Sequence, residues 1–266
     1  MAYQTIIYEK RGRGAWITLN RPKDRNAVNL ELIQEMSSAL DEAAADSDMR
    51  AVVLTGAGSA FCAGADLKSA LSMRQSLEKD DINSLMDYLS QFEGVLRKIR
   101  TLPKPVIAAI NGVACAGGIE TIVCCDINIA VETATFSDAH SRYGFMPGLG
   151  GGLGLARAVG PFKAKEMLFT ADFFTARDMA DAGLVNHVVP DDQLVTFVDE
   201  LVNKLAERSP LSLARMKQLI NDGLDVPWDV AVRYEMLSLE AQTHSEDFYE
   251  GIKAFNEMRS PQFKGK

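Results

Sequence analysis

The tightest constraint in this chain is a repeated coupling of a short β-branched run to a glycine turn. Residues 51–55 run into Gly56-Ala57-Gly58, and residues 105–110 run into Asn111-Gly112. A second turn of small residues then follows each, Ala63-Gly64-Ala65 in the first case and Ala116-Gly117-Gly118 in the other. A third glycine-rich stretch runs from Phe136-Ser137-Asp138-Ala139-His140 on to Met146-Pro147-Gly148-Leu149-Gly150-Gly151. Further strand-like runs lie at 15–19, 126–131 and 184–189, and residues 29–45 place Leu30, Ile33, Met36 and Leu40 at helical spacing. Strands alternating with helices imply parallel sheet with helical crossovers. Two similar units in tandem predict a repeating structural turn rather than one open nucleotide-binding sheet.

After Pro190 the pattern changes. Residues 194–207, 210–223, 228–243 and 247–259 read as helices with no strand between them, and Leu201, Leu205, Leu213, Leu219, Leu237 and Phe255 give them apolar faces. So short a tail cannot hide those faces alone, which predicts packing on the core and on other subunits. The 266 residues suit one large domain with an appendage, divided as a core over 1–190 and a helical oligomerisation region over 191–266.

Composition removes several classes of function. Apolar residues make up 47% and charged residues 24%, the balance of a soluble globular protein, and the net charge of −8 argues against nucleic acid or an anionic membrane as main partner. No apolar run approaches the roughly 20 residues of a membrane helix. The strand-like start at Tyr3–Tyr8 carries no basic leader, so the expected location is cytoplasmic. Cys62, Cys115, Cys124 and Cys125 lie in apolar or glycine-rich surroundings without CxxC spacing. They read as reduced packing residues rather than metal ligands or disulfides. His187 and His244 likewise lack metal-ligand spacing.

The glycines do not form a dinucleotide fingerprint: Gly56 and Gly58 are followed by Phe61, and Gly150 and Gly152 by Leu155. Neither a Walker lysine pattern nor a GxSxG elbow is present. Small residues at 63–65 and 116–118 let the main chain approach a ligand closely. The second segment leads into a helical pattern over 119–125, whose first turn offers unpaired N–H groups and the positive dipole end. That suits a developing oxyanion. The alternative is that these glycines serve only tight turns and close packing.

Taken together, the motifs resemble the crotonase (enoyl-CoA hydratase/isomerase) superfamily over nearly the whole chain. The resemblance begins at Ile17-Thr18-Leu19-Asn20-Arg21-Pro22 with Asn26-Ala27, passes through the three glycine segments, and includes Ala182-Gly183-Leu184-Val185 and Val188-Val189-Pro190. It ends in Glu250-Gly251-Ile252-Lys253-Ala254-Phe255. It implies an α/β fold, a crotonase-like ββα spiral core with a C-terminal helical trimerisation region, assembled as a homotrimer or a hexamer built from two trimers. It also implies an acyl-CoA substrate, with coenzyme A part of that substrate, no separate cofactor and no metal.

Residue by residue, the resemblance places the oxyanion-binding backbone N–H groups at Ala65 and Gly117. Glu120 matches one of the two hydratase glutamates, and His140 stands where the other would be. Histidine can act as acid or base near neutral pH, with Asp138 and Arg142 near enough in sequence to tune it. Lys23, Arg25, Ala27, Ala63, Asp66 and Lys68 fall in segments that meet coenzyme A, while Lys264 and Lys266 in the tail are candidates to reach a neighbour's ligand. Residues 67–90, with Met73 and Met86, are expected to line the acyl pocket. The leading expectation is hydration of a 2-enoyl-CoA to a 3-hydroxyacyl-CoA. The same oxyanion hole would serve a double-bond isomerase or a C–C bond hydrolase. From another class, a non-catalytic scaffold trimer fits the same fold, but Glu120 and the acidic net charge count against it.

Overall fold

The computed structural model describes residues 3–68 and 82–266. Strands β1 (Ile6–Arg11) and β2 (Gly14–Leu19) form an antiparallel hairpin, and α1 (Leu30–Ala45) crosses to β3 (Ala51–Gly56). The chain then repeats one plan. β3 is followed by β4 (Ala60–Cys62) and, after α2 (Ile82–Thr101), by β5 (Val106–Ile110), β6 (Val113–Cys115) and α3 (Gly117–Ile122). β7 (Ile127–Val131) and β8 (Thr135–Ser137) come next, then α4 (Gly151–Val159), α5 (Pro161–Thr170), β9 (Phe174–Thr175), α6 (Ala176–Asp181) and β10 (His187–Val189).

In the repeats β3–β4, β5–β6 and β7–β8 the first strand joins a six-stranded sheet in the order β1-β2-β3-β5-β7-β10, and the second joins a four-stranded sheet, β4-β6-β8-β9. The chain therefore winds as a ββα spiral, as expected from the tandem units. The larger sheet is parallel from β2 to β10. All five residues of β5 are buried, the continuous apolar pattern of a strand covered on both faces. Asn29 caps α1 by accepting the Leu32 N–H at 2.9 Å, and Leu32, Ile33, Met36, Ala39, Leu40 and Ala43 form its buried stripe. Leu30 stands at the edge of that stripe rather than in it.

Of the four helices after Pro190, α7 (Leu194–Ala206) packs on β3, β5 and β7 and fully buries Val198 and Val202. By contrast, α8 (Pro210–Gly223) and α9 (Trp228–Thr243) bury no residue, and Trp228 is 79% exposed. Polar contacts tie α8 to the body: Asn221 exchanges two hydrogen bonds with Arg100, and the half-buried Lys217 makes three contacts. Lys217 Nζ pairs with Asp126 Oδ2 at 2.7 Å and donates to the Ile99 and Lys104 carbonyls at 2.9 and 3.2 Å. The chain end is clasped by α10 (Glu246–Asn256): Asp247 accepts from Ser209 Oγ and from the N–H groups of Lys264 and Gly265.

The loop before α1 is locked onto the β3–β4 turn by Asn26, which is fully buried at φ +57°. Its side chain accepts the Arg21 N–H at 2.9 Å and donates to the Ala57 and Ala60 carbonyls at 3.0 and 2.7 Å. Those bonds satisfy a buried amide and fix the rim on which the site is built.

Candidate active site

Among the described residues, the local geometry leaves the backbone amides of Ala65 and Gly117 without a protein acceptor. Val28 forms a parallel bridge with Ala65, its N–H donating to the Gly64 carbonyl and its carbonyl accepting the Asp66 N–H, both at 2.8 Å. In such a bridge the opposed residue directs its own N–H away, so the Ala65 amide faces the other side. Gly117 is the first residue of α3, where an N–H has no intrahelical acceptor, and the preceding Ala116 has no side chain that can cap it. Ala116 is held at φ +48°, ψ −111°, a conformation unusual for a residue with a Cβ, by its N–H bond to the Ser137 carbonyl.

Gly64 lets the two segments meet. Its φ is +94°, and a Cβ there would fall 2.9 Å from Ala116 Cβ and 3.1 Å from the Gly117 nitrogen. Only glycine meets both demands. Phe92, from α2 and 2% exposed, closes the other side of Gly117.

Glu120 lies one turn along α3 and is 3% exposed. Its Oε1 accepts the Leu149 N–H at 3.1 Å, and Gly151 packs so closely that a Cβ would fall 2.3 Å from Glu120 Cγ. Burial pushes this carboxyl above its ordinary range; the Leu149 and Gly148 N–H groups and the charge of His140 oppose the shift, while Asp138 adds to it.

His140 follows β8 and is half-buried. Its Nδ1 lies 2.7 Å from Asp138 Oδ1, and its backbone N–H donates to the same oxygen at 3.3 Å. Burial alone would lower the imidazole pKa. The Asp138 hydrogen bond and the charges of Asp138 and Glu120 outweigh it, so the pKa is raised. Arg142 turns elsewhere, donating to the Ala171 carbonyl at 2.8 Å.

The residues expected to hold coenzyme A are brought to one rim. The Ala63 N–H donates to the Arg25 carbonyl at 3.0 Å, which joins the 21–28 loop to the 63–66 turn, and Lys23, Arg25 and Lys68 are exposed there. Ala27 is held by Arg21, whose guanidinium donates to its carbonyl. Asp66 is 9% exposed, pairs with Arg21 Nη2 at 2.8 Å and accepts the Lys68 N–H at 3.2 Å, so its carboxylate braces the turn after Ala65. Lys264 and Lys266 lie in the segment clasped by Asp247, and Met86 is exposed. Met73 lies outside the described residues. Sequence reasoning did not single out Phe92, the Leu149 amide, or Gly151 as the wall behind Glu120. Gly151 sat in the third glycine segment, but Phe92 offered no local signal.

The two-sheet spiral, with a carboxyl buried one helical turn beyond the Gly117 amide, is the architecture of the crotonase-fold enzymes. Residues 10–266 match the enoyl-CoA hydratase/isomerase family. Over 262 residues the chain is 38% identical to a probable mitochondrial enoyl-CoA hydratase of Dictyostelium discoideum, covering 98% of this chain and 91% of that protein. It is 37% identical over 260 residues to a short-chain-enoyl-CoA hydratase of Clostridium acetobutylicum, covering 97% of each. The crystal structure of an enoyl-CoA hydratase from Bacillus anthracis superposes with a TM-score of 0.92 at 34% identity, covering 99% of this chain and 100% of that one. The chain belongs to the enoyl-CoA hydratase/isomerase family.

Proposed function

We propose that the protein adds water to a 2-enoyl-CoA to give the 3-hydroxyacyl-CoA, with no cofactor beyond the coenzyme A of the substrate. The observation that carries this reading is Glu120, a carboxyl buried one helical turn beyond the Gly117 amide and raised in pKa by that burial. The thioester oxygen sits between the N–H groups of Ala65 and Gly117, each worth about 3–4 kcal/mol of barrier when well aimed. Glu120 takes a proton from water as its oxygen adds to Cβ, and the double-bond electrons move onto the thioester as an enolate. His140, as imidazolium, then returns a proton to Cα. Lys23, Arg25 and Lys68 meet the nucleotide phosphates, with Ala27, Ala63 and the Asp66 brace shaping the same rim.

A panel of short, long, branched and aromatic enoyl-CoAs, followed by mass spectrometry for the water adduct, tests the reading. Folded protein that hydrates none of them would overturn it, and recovery of a shifted double bond or a cleaved chain would assign the isomerase or hydrolase reaction instead.

The working form in this reading is a cytoplasmic homotrimer or a hexamer built from two trimers. Exposed Trp228, Met236, Leu237 and Leu239 on α9 support it, since such a face is ordinarily covered by another subunit. No helix among the described residues is long and apolar enough to cross a membrane. Sedimentation at micromolar concentration is expected to show a trimer or larger; a monomer alone would refute the assembly.

A further inference from the structure

The carboxylate of Asp138 is a charge placed where the core has little else to offer it. Only 1% of the residue is exposed, and its Oδ2 is buried with no hydrogen-bond partner among the described residues. Its other oxygen meets the ring and the backbone N–H of His140. A buried carboxylate without a matching cation is costly, so this one favours an imidazolium beside it. The groups surrounding the imidazole agree. Glu120 on α3 adds negative charge, Arg142 is committed to the Ala171 carbonyl, and burial keeps the Cys115 thiol neutral on β6.

We propose that Asp138 is a positioning residue that holds the His140 proton on Nδ1 and leaves Nε2 as the one ring atom able to exchange a proton with the substrate. An ionised carboxylate can only accept, so Nδ1 must be the donor in the 2.7 Å contact. When neutral, the ring then carries its lone pair on Nε2; when protonated, it presents Nε2–H to the enolate carbon. The proton balance closes. Water gives one proton to Glu120 and its hydroxyl to Cβ, and the imidazolium gives one to Cα. The resulting carboxylic acid and neutral imidazole return to the starting state by passing a single proton between them. The inference rests on the hydration reading above for its chemistry, but the tautomer it assigns is a property of the resting protein.

The test is Asp138→Asn, which keeps shape but removes the charge. Nitrogen-15 NMR of the wild type at high pH is expected to show the neutral His140 proton on Nδ1, and the variant is expected to lose that preference and to titrate at lower pH. Hydration should lose kcat with KM unchanged, by about tenfold at pH 8 for each unit the titration falls, and by less at pH 6. In a His140→Gln background the same change should cost nothing further. An unchanged pH profile together with an Nε2–H tautomer in the wild type would overturn the assignment. Should Asp138→Asn fail to fold, the wild-type tautomer still decides. If the wild type hydrates no enoyl-CoA, the reaction reading fails while the NMR result still judges Asp138 alone.

Discussion

Replacing Gly151 by alanine should separate catalysis from stability more cleanly than replacing any ionisable group. The new Cβ would stand 2.3 Å from Glu120 Cγ and 2.9 Å from Oε1, where ordinary contact begins at 3.4 Å. Something must give by roughly 1 Å, a displacement that can cost about 10²-fold in rate when it moves a reacting group. Glu120 is the part that can move, because Gly151 opens α4 and is held there by its helix. Rotating away also breaks the 3.1 Å bond from the Leu149 amide. The stability cost is smaller. Overpacking takes about 1–3 kcal/mol, and the better helix propensity of alanine returns up to about 1 kcal/mol. The assay is kcat and KM on a short 2-enoyl-CoA beside a denaturant titration, with Gly94→Ala in α2 as control, since a Cβ there meets nothing within 4 Å. The expected result is a loss of about 10²-fold in kcat for Gly151→Ala, and unchanged kcat with a gain of up to about 1 kcal/mol for the control. Wild-type kcat in a folded Gly151→Ala protein would refute the placement of Glu120.

His140→Gln should lose about 10²–10⁴-fold in kcat and the high-pH limb of the rate profile together. The sign follows from the shifts: a donor whose pKa is raised stays active to higher pH and fails as pH rises through it, whereas Glu120, a base whose pKa is also raised, fails as pH falls. An unchanged profile would make His140 structural. Lys217→Met should destabilise the protein by about 1.5–3 kcal/mol in urea titration, because it leaves Asp126 with only the Val106 N–H and frees the Ile99 and Lys104 carbonyls. Adding Asp126→Asn should recover part of that loss, and no recovery would show that the pair is not an anchor of α8.

The spiral was legible because its repeats are punctuated: 51–55 and 105–110 each end in a glycine turn and reappear as β3 and β5 within a residue. The bounds of α8 and α9 matched as well, since Ser209-Pro210 and Pro227 announce their starts. The short strands β4, β6 and β8 were hidden, because three residues among glycines carry no periodicity. Residues 82–101 and 151–170 were not read as helices, and α2 turns out to supply Phe92 to the wall of the site. Of the site itself, a helix after the second glycine segment could be read from the chain, whereas the roles of Gly117 and Glu120 came only through the family resemblance. The Arg21–Asp66 pair joins positions 45 residues apart, so no local pattern could announce it. Asp138 was visible beside His140, but whether their side chains met depended on the turn after β8.

That turn explains how histidine could serve at the position where the family resemblance implies a second glutamate. An imidazolium hydrogen-bonded to a carboxylate is a neutral unit holding one transferable proton, as a protonated glutamic acid is. Histidine alone would have changed the charge of the pocket; histidine on Asp138 restores it. The unit and Glu120 feel one another, so the limbs of the pH profile belong to the set rather than to one residue. It follows that His140→Glu should not convert the protein into a better two-carboxylate hydratase. It would set a new carboxylate beside that of Asp138, which is already buried, and within reach of the charge on Glu120. Like charges so placed cannot all ionise, and the proton they share is held by the wrong pair. The expected kcat is therefore below that of His140→Gln, with recovery when Asp138→Asn is added. Higher activity in His140→Glu alone would mean that Asp138 and His140 do not act as one unit.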